Sequence, residues 1–165
     1  MIYLKEGRLE QGEMSWGLRP GWSKRPVINA QAETIQQKPT FRESFLRRRC
    51  LIPADGFYEW RQPDKTQFWF RQPNQETFCF AGLWEDSPSA GGKAAYVIIT
   101  VAATAVVQPV HHRMPLILGP DSYDDWLMEP GKAAAMLQDK SPVELRAEAM
   151  ATKAPPRERQ EILPL

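Results

Sequence analysis

Short apolar runs alternate with polar turns along most of the chain, a pattern that predicts strands more often than helices. "MIYLKEGRLEQGEMSW" places two short strands about a turn at Lys5-Glu6-Gly7-Arg8. A Pro-Gly turn follows at positions 20–21, and "VINAQAET" is extended chain or loop. Beyond Pro39, "FRESFLRRR" suits a short helix, with Thr40 as N-cap and Glu43 as its capping-box partner three residues on. "CLIPADGFYEW" is a strand, a turn at Pro53–Gly56 and the start of another strand. "QFWFRQ", "TFCFAGLWE" and "AAYVIITVAA" have the aromatic and β-branched content of strands, and "MPLILG" adds a short apolar one. "PDSYDDWLM" opens a helix with Asp121 or Ser122 as cap, and "GKAAAMLQD" is a second helical piece. Residues 86–93 have turn composition and predict a loop tip, and residues 150–165 predict a loosely packed tail. The sum is a single α+β domain over residues 1–165, with a mainly antiparallel, barrel-like sheet flanked by short helices.

Composition narrows this reading. The 15 prolines argue against a helical bundle, because each removes a backbone donor and fixes φ. The net charge of +1 by itself points to neither nucleic acid nor membrane. Its distribution is more informative: residues 1–50 carry 10 Lys/Arg against 5 Asp/Glu, and residues 120–165 carry 6 against 9. A basic first third could form a face for phosphate, or it could be an ordinary mixed surface. Two cysteines, Cys50 and Cys79, make no disulfide framework. No leader-like start and no apolar run of membrane-spanning length is present, so a cytoplasmic protein with reduced thiols is expected.

Several positions could carry chemistry. Glu59 lies between Tyr58 and Trp60; desolvation there would raise its pKa and suit a general acid, or the carboxylate could simply face water. Asn29, among small residues at a strand end, can orient a substrate oxygen or satisfy local backbone, and Glu33 reads as a solvated or backbone-pairing carboxylate. His111 and His112 are the only histidines. In extended chain they point to opposite faces, with Arg113 on the side of His111, where an anion could engage both. No zinc-ligand spacing is present, so no metal is expected, and no phosphate-binding glycine loop or nucleophile elbow occurs either. Arg19, Trp22, Lys24 and Arg25, then Lys38, Arg42 and Arg47–Arg49, mix cations with an aromatic, as a base-stacking platform would. Arg47–Arg49 could equally be a solvated face or charges complementing a helix C-terminus.

Taken in order, "SWGLRPGWSK", "VINAQAET", "RRRCLIPADGFYEW", "FCFAGLWE", "VIITVAAT" and "VHHRMPLIL" resemble the SRAP family, the SOS-response-associated peptidases or abasic-site-processing proteins, over about Met14 to Trp126. The resemblance implies an α+β fold around a bifurcated sheet. It implies covalent capture of abasic sites in single-stranded DNA: an N-terminal cysteine forms a Schiff base through its α-amine, and its thiol then closes a thiazolidine. Peptidase-like self-processing would expose that cysteine. No cofactor is implied. On this chain the resemblance makes Asn29 the asparagine that orients nucleophile and sugar. It makes Glu59 the proton-transferring carboxylate and His111 the acid/base near the opened sugar. Trp22, Arg19 and Arg113 are then expected DNA contacts.

The departures are equally specific. The family begins Met-Cys-Gly-Arg, whereas this chain begins "MIYLKEGRLE". The expectation is a member shortened at its N-terminus, without its nucleophile and inactive in crosslinking as written. Gln31 stands where the family has Arg, weakening a DNA contact, and His112 replaces an acidic neighbour. Neither Cys50 nor Cys79 has the adjacent α-amine that the ring closure needs. The alternative reading is a non-catalytic single-stranded DNA-binding module; proteolysis of other proteins lacks a local nucleophile–base pair.

Overall fold

In a computed structural model, residues 1–62, 64–86, 94–138 and 143–150 are described. The first hairpin follows from its turn. Glu6 and Gly7 have φ of 50° and 76°, the type I′ geometry whose twist suits a two-residue loop. They join β1 (Ile2–Lys5) to β2 (Arg8–Gln11) with Lys5 opposite Arg8. β1 in turn pairs with β5 (Arg49–Ala54), which pairs with β8 (Phe78–Glu85), and β8 with β9 (Ala95–Ala102), all antiparallel. The central strands are nearly continuous apolar runs because both of their faces are covered. β3 (Ser15–Trp16) and β4 (Asn29–Gln31) run parallel to β9 along its other edge.

The sheet forks between β8 and β9. They pair only from Gly82–Ile98 to Glu85–Ala95, and beyond that point they separate. β10 (Arg113–Pro115) pairs with the free half of β9, and β11 (Ile117–Leu118) with the free half of β8. Leu116 joins the two branches: its N–H donates to the Ile99 carbonyl at 2.8 Å, and its carbonyl accepts from the Ala81 N–H at 2.9 Å. The "MPLILG" run is therefore two short strands with a bridging residue. A one-strand reading fails because neither branch alone can pair the whole segment. The result is the expected α+β fold with a bifurcated, barrel-like sheet.

A second sheet, in the order β12–β7–β6, comprises β6 (Phe57–Trp60), β7 (Gln67–Arg71) and β12 (Arg146–Ala149). Gly56 lets β6 begin close to β7. A Cβ there would collide with the Trp69 indole nitrogen and lie 2.5 Å from the Phe70 carbonyl oxygen. β12 has no sequence signature, since "RAEA" has weak strand propensity. It is held by its ladder with β7 and by Arg71, which donates to Glu148 at 2.7 Å.

Three short helices close the core: α1 (Pro39–Arg47), α2 (Tyr123–Met128) and α3 (Pro130–Met136). The expected capping box at Thr40 does not form. Pro39 takes the first helical position after Lys38, which leaves Thr40 inside the first turn; Glu43 instead pairs with Arg47 at 2.8 Å. Ser122 precedes α2 without a side-chain cap, because a 3₁₀ turn over Pro120–Ser122 feeds the helix directly. Arg49 begins β5 and is 4% exposed. Its guanidinium donates to the carbonyls of Phe45 (2.7 Å), Leu46 (2.9 Å), Trp126 (2.5 Å) and Leu127 (2.9 Å). One buried cation thus satisfies the carbonyl ends of two helices and complements both dipoles. Beside it Trp126 is fully buried and donates from Nε1 to the Cys50 carbonyl at 3.0 Å. Of the predicted loop tip at 86–93 and the predicted tail at 150–165, all but residues 86 and 150 lie outside the described residues.

Candidate functional site

A cavity of about 940 Å³ opens between the main sheet and β6. Each wall follows from strand alternation. On β4, Ala30 packs into the core, so Asn29 and Gln31 turn the other way and line the cavity. On β6, Phe57 is buried and Glu59 shares its face, while Tyr58 and Trp60 turn outward and form part of the rim. The floor is apolar, with Ile52, Phe80, Ile98 and Met114.

His111 enters from the β9–β10 connection, and here alternation fails as a guide. Residues 105–110 form a compact turn, anchored by buried Val107 and Val110, in which the His111 N–H donates to the Val107 carbonyl at 3.0 Å. The chain at 111–112 is therefore not extended. The two imidazoles lie side by side with centroids 4.6 Å apart, instead of facing opposite ways as expected. His111 Nδ1 is 2.9 Å from the Arg113 carbonyl oxygen. The Arg113 N–H lies 3.3 Å from the same nitrogen, so the Arg113 backbone offers Nδ1 both an acceptor and a donor and can hold the ring in either tautomer.

Oε1 of Glu59 is 3.6 Å from the same Nδ1. Burial pushes the Glu59 carboxyl above the usual carboxylate range, and the nearby His111 and His112 rings oppose that rise. A carboxyl that holds its proton more firmly than in water, beside an imidazole, has the makings of an acid–base pair.

Of the expected site residues, Asn29, Gln31, Glu59, His111, Arg113 and Trp22 all line this one cavity; Arg19 is exposed and stands outside its lining. Trp22, 69% exposed, donates from Nε1 to the Thr40 hydroxyl at 3.2 Å. Arg113 does not point a free guanidinium at the cavity. It forms a two-pronged pair with Glu33 at 2.6 and 2.9 Å and donates to the Thr100 carbonyl at 2.5 Å. Glu33 is thus an ion-pair partner, and its carboxyl is held below the usual range chiefly by the Arg113 hydrogen bonds.

Sequence reasoning missed three rim aromatics: Trp16, 53% exposed, together with Tyr58 and Trp60. The signal was available, since a large aromatic on the outward phase of a short strand has no core to fill. Both thiols are buried away from the cavity lining, and burial raises the pKa of each. Among the described residues no cluster of three or more His, Cys, Asp or Glu could hold a metal ion. Among them, too, no helix is long and apolar enough to cross a membrane.

A forked α+β sheet with a carboxyl–imidazole pair in an aromatic-rimmed cleft defines the class of protein. Residues 1–154 match the family model described as SOS response associated peptidase (SRAP), and the chain belongs to that family. The match extends beyond the motifs at both ends. The abasic site processing protein YoqW of Bacillus subtilis is 38% identical over 126 residues, 70% of this chain and 56% of that protein. The abasic site processing protein YedK of Escherichia coli is 32% identical over 138 residues, 79% of this chain and 62% of that protein. The chain therefore spans a little over half the length of these relatives. A crystal structure of a Bacteroides thetaiotaomicron protein superposes with a TM-score of 0.74 at 25% identity, covering 92% of this chain and 73% of that one.

Proposed function

We propose that the cavity receives an abasic nucleotide of single-stranded DNA, and that the chain is the DNA-holding and proton-transferring part of an abasic-site-processing protein acting in the cytoplasm during the SOS response. The observation that carries this is the convergence of Asn29, Glu59 and His111 on one cleft rimmed by Trp16, Trp22, Tyr58 and Trp60. An opened abasic sugar presents an aldehyde and hydroxyls. Asn29 can orient these, and Glu59 with His111 can move protons as a Schiff base forms and breaks. The aromatics offer faces to flanking bases, which stack without sequence preference. Arg19, Lys24 and Arg25, near Trp22 in sequence, supply cations for phosphates, and Gln31 supplies a neutral polar contact.

A thiazolidine crosslink needs an α-amine and a thiol on one residue. Cys50 and Cys79 are both internal and buried, so neither can supply that pair. Fluorescence anisotropy with abasic, undamaged and duplex oligonucleotides, followed by denaturing gels, separates the cases. Tight, salt-sensitive binding of abasic single strands with no denaturation-resistant band is expected. Extending the N-terminus with a family-type segment beginning Met-Cys-Gly-Arg should add such a band, and Glu59→Ala or His111→Ala should remove it. An extended protein that binds but gives no band rules out the covalent part of the proposal.

A further inference from the structure

The occupant proposed for the cavity carries an aldehyde, and a primary amine beside an aldehyde is a nucleophile. Among the residues that line the cavity, Lys38 is the one primary amine. Arg113, the other cation in the lining, stays protonated and cannot take that role. The amine of Met1 donates to the Gly12 carbonyl at 2.8 Å and lies outside the lining.

Backbone contacts on both sides fix where the Lys38 side chain starts. Its N–H donates to the Thr34 carbonyl at 3.0 Å, and its carbonyl accepts from the Phe41 and Arg42 N–H groups, each at 3.0 Å. Lys38 thus stands at the head of α1, where Pro39 and Thr40 also line the cavity. Thr40 accepts from Trp22 Nε1 at 3.2 Å, so a base stacked on Trp22 brings the adjoining sugar toward this end of the helix. Among the described residues the exposed Lys38 ammonium has no carboxylate or other acceptor. Lys5, Lys65 and Lys132, by contrast, are held by Asp86, Gln62 and Asp125.

We propose that Lys38 holds the opened abasic sugar through a reversible imine, as a nucleophile internal to the chain. This rests on the reading of the cavity as the site of that sugar. The ammonium gives one proton to His111, and Nζ adds to the aldehyde carbon. A second N–H proton moves to the former carbonyl oxygen, giving a carbinolamine. The carbon–oxygen bond then breaks as Glu59 protonates the hydroxyl; water leaves and a protonated C=N bond remains. The proton on His111 returns to Glu59, so both groups end as they began. Nothing is oxidised or reduced, and water added back restores amine and aldehyde. Lysine carries no thiol to close a ring, so this bond does not survive denaturation unless it is first reduced.

Trapping with sodium cyanoborohydride on an abasic single strand tests this, with anisotropy on the same strand run in parallel. The parent protein should give a denaturation-resistant band only with reductant, and none with the matched undamaged strand. Lys38→Arg keeps the charge but cannot form an imine, so it should lose the band while still binding the abasic strand. Lys132→Arg, at a lysine paired with Asp125 outside the lining, should keep the band. Peptide mapping of the reduced adduct should place the sugar on Lys38, a result that needs no variant. A band that persists in Lys38→Arg, or that maps to Met1 or another lysine, overturns the inference. So does a parent protein that binds the abasic strand yet gives no trapped band, an outcome that leaves the cavity reading standing. If the abasic strand does not bind at all, the cavity reading itself fails and the imine falls with it.

Discussion

Oε1 of Glu59 stands 3.6 Å from Nδ1 of His111, although one comes from β6 of the small sheet and the other from the turn before β10 of the large one. The contact between the two sheets thus creates the acid–base pair. Burial is the dominant influence on Glu59 and pushes its carboxyl up. A carboxyl whose folded pKa is raised costs stability when ionised. The cost is full above the folded pKa and vanishes below the unfolded one, near 4.3. Glu59→Gln should therefore raise the urea midpoint at pH 7, and the gain should disappear as pH falls below about 4. A stabilisation that persists at acid pH would contradict the burial argument.

Glu33 has the opposite sign. Its folded pKa is lowered, mainly by the hydrogen bonds from Arg113. The stabilisation is present above the unfolded pKa and is lost as pH falls through the folded one. Glu33 is half exposed, so solvent screening keeps the pair's worth small: Glu33→Gln should cost about 1 kcal/mol at pH 7. Denaturation of both proteins across the acid range should show the difference closing.

Arg49 is the structural counterpart, a cation buried among four carbonyls that belong to the ends of α1 and α2. Arg49→Met removes every one of those donors at once and should cost about 3 kcal/mol or more, read from urea melts. A loss under about 1 kcal/mol would mean that water replaces the guanidinium readily.

Gly56→Ala should cost about 1–3 kcal/mol, because the added methyl meets Trp69 and the Phe70 carbonyl where β6 begins. Since Glu59 lies on that strand, DNA binding should weaken along with stability. A neutral substitution would show that β6 can move away from β7 without loss.

Much of this was legible in the sequence. Period-2 alternation found the strands, and it correctly put Tyr58 and Trp60 on the face opposite Glu59. Asn29, Glu59 and His111 were chosen from motifs, and they do meet at one cavity. Three features were not legible, each because a distant partner decides them. β12 exists only through its pairing with β7. The His111–His112 geometry depends on a turn that buries Val107 and Val110, which overrides extension. The engagement of Arg113 depends on Glu33, brought alongside it across β9.

Rim aromatics should matter for binding and little for folding. Trp22→Ala and Trp60→Ala, at residues 69% and 48% exposed, should each weaken binding of single-stranded DNA by about 1–3 kcal/mol while leaving the melting temperature nearly unchanged.

The central claim is that the Glu59–His111 cavity holds an abasic nucleotide of single-stranded DNA. Anisotropy titrations at low salt test it most directly, with one oligonucleotide carrying an abasic site and a matched undamaged one. The account predicts salt-sensitive binding that favours the abasic strand, with the preference lost in His111→Ala and in Glu59→Ala. Absence of binding at low salt, or equal affinity for both strands unchanged by these substitutions, would contradict it.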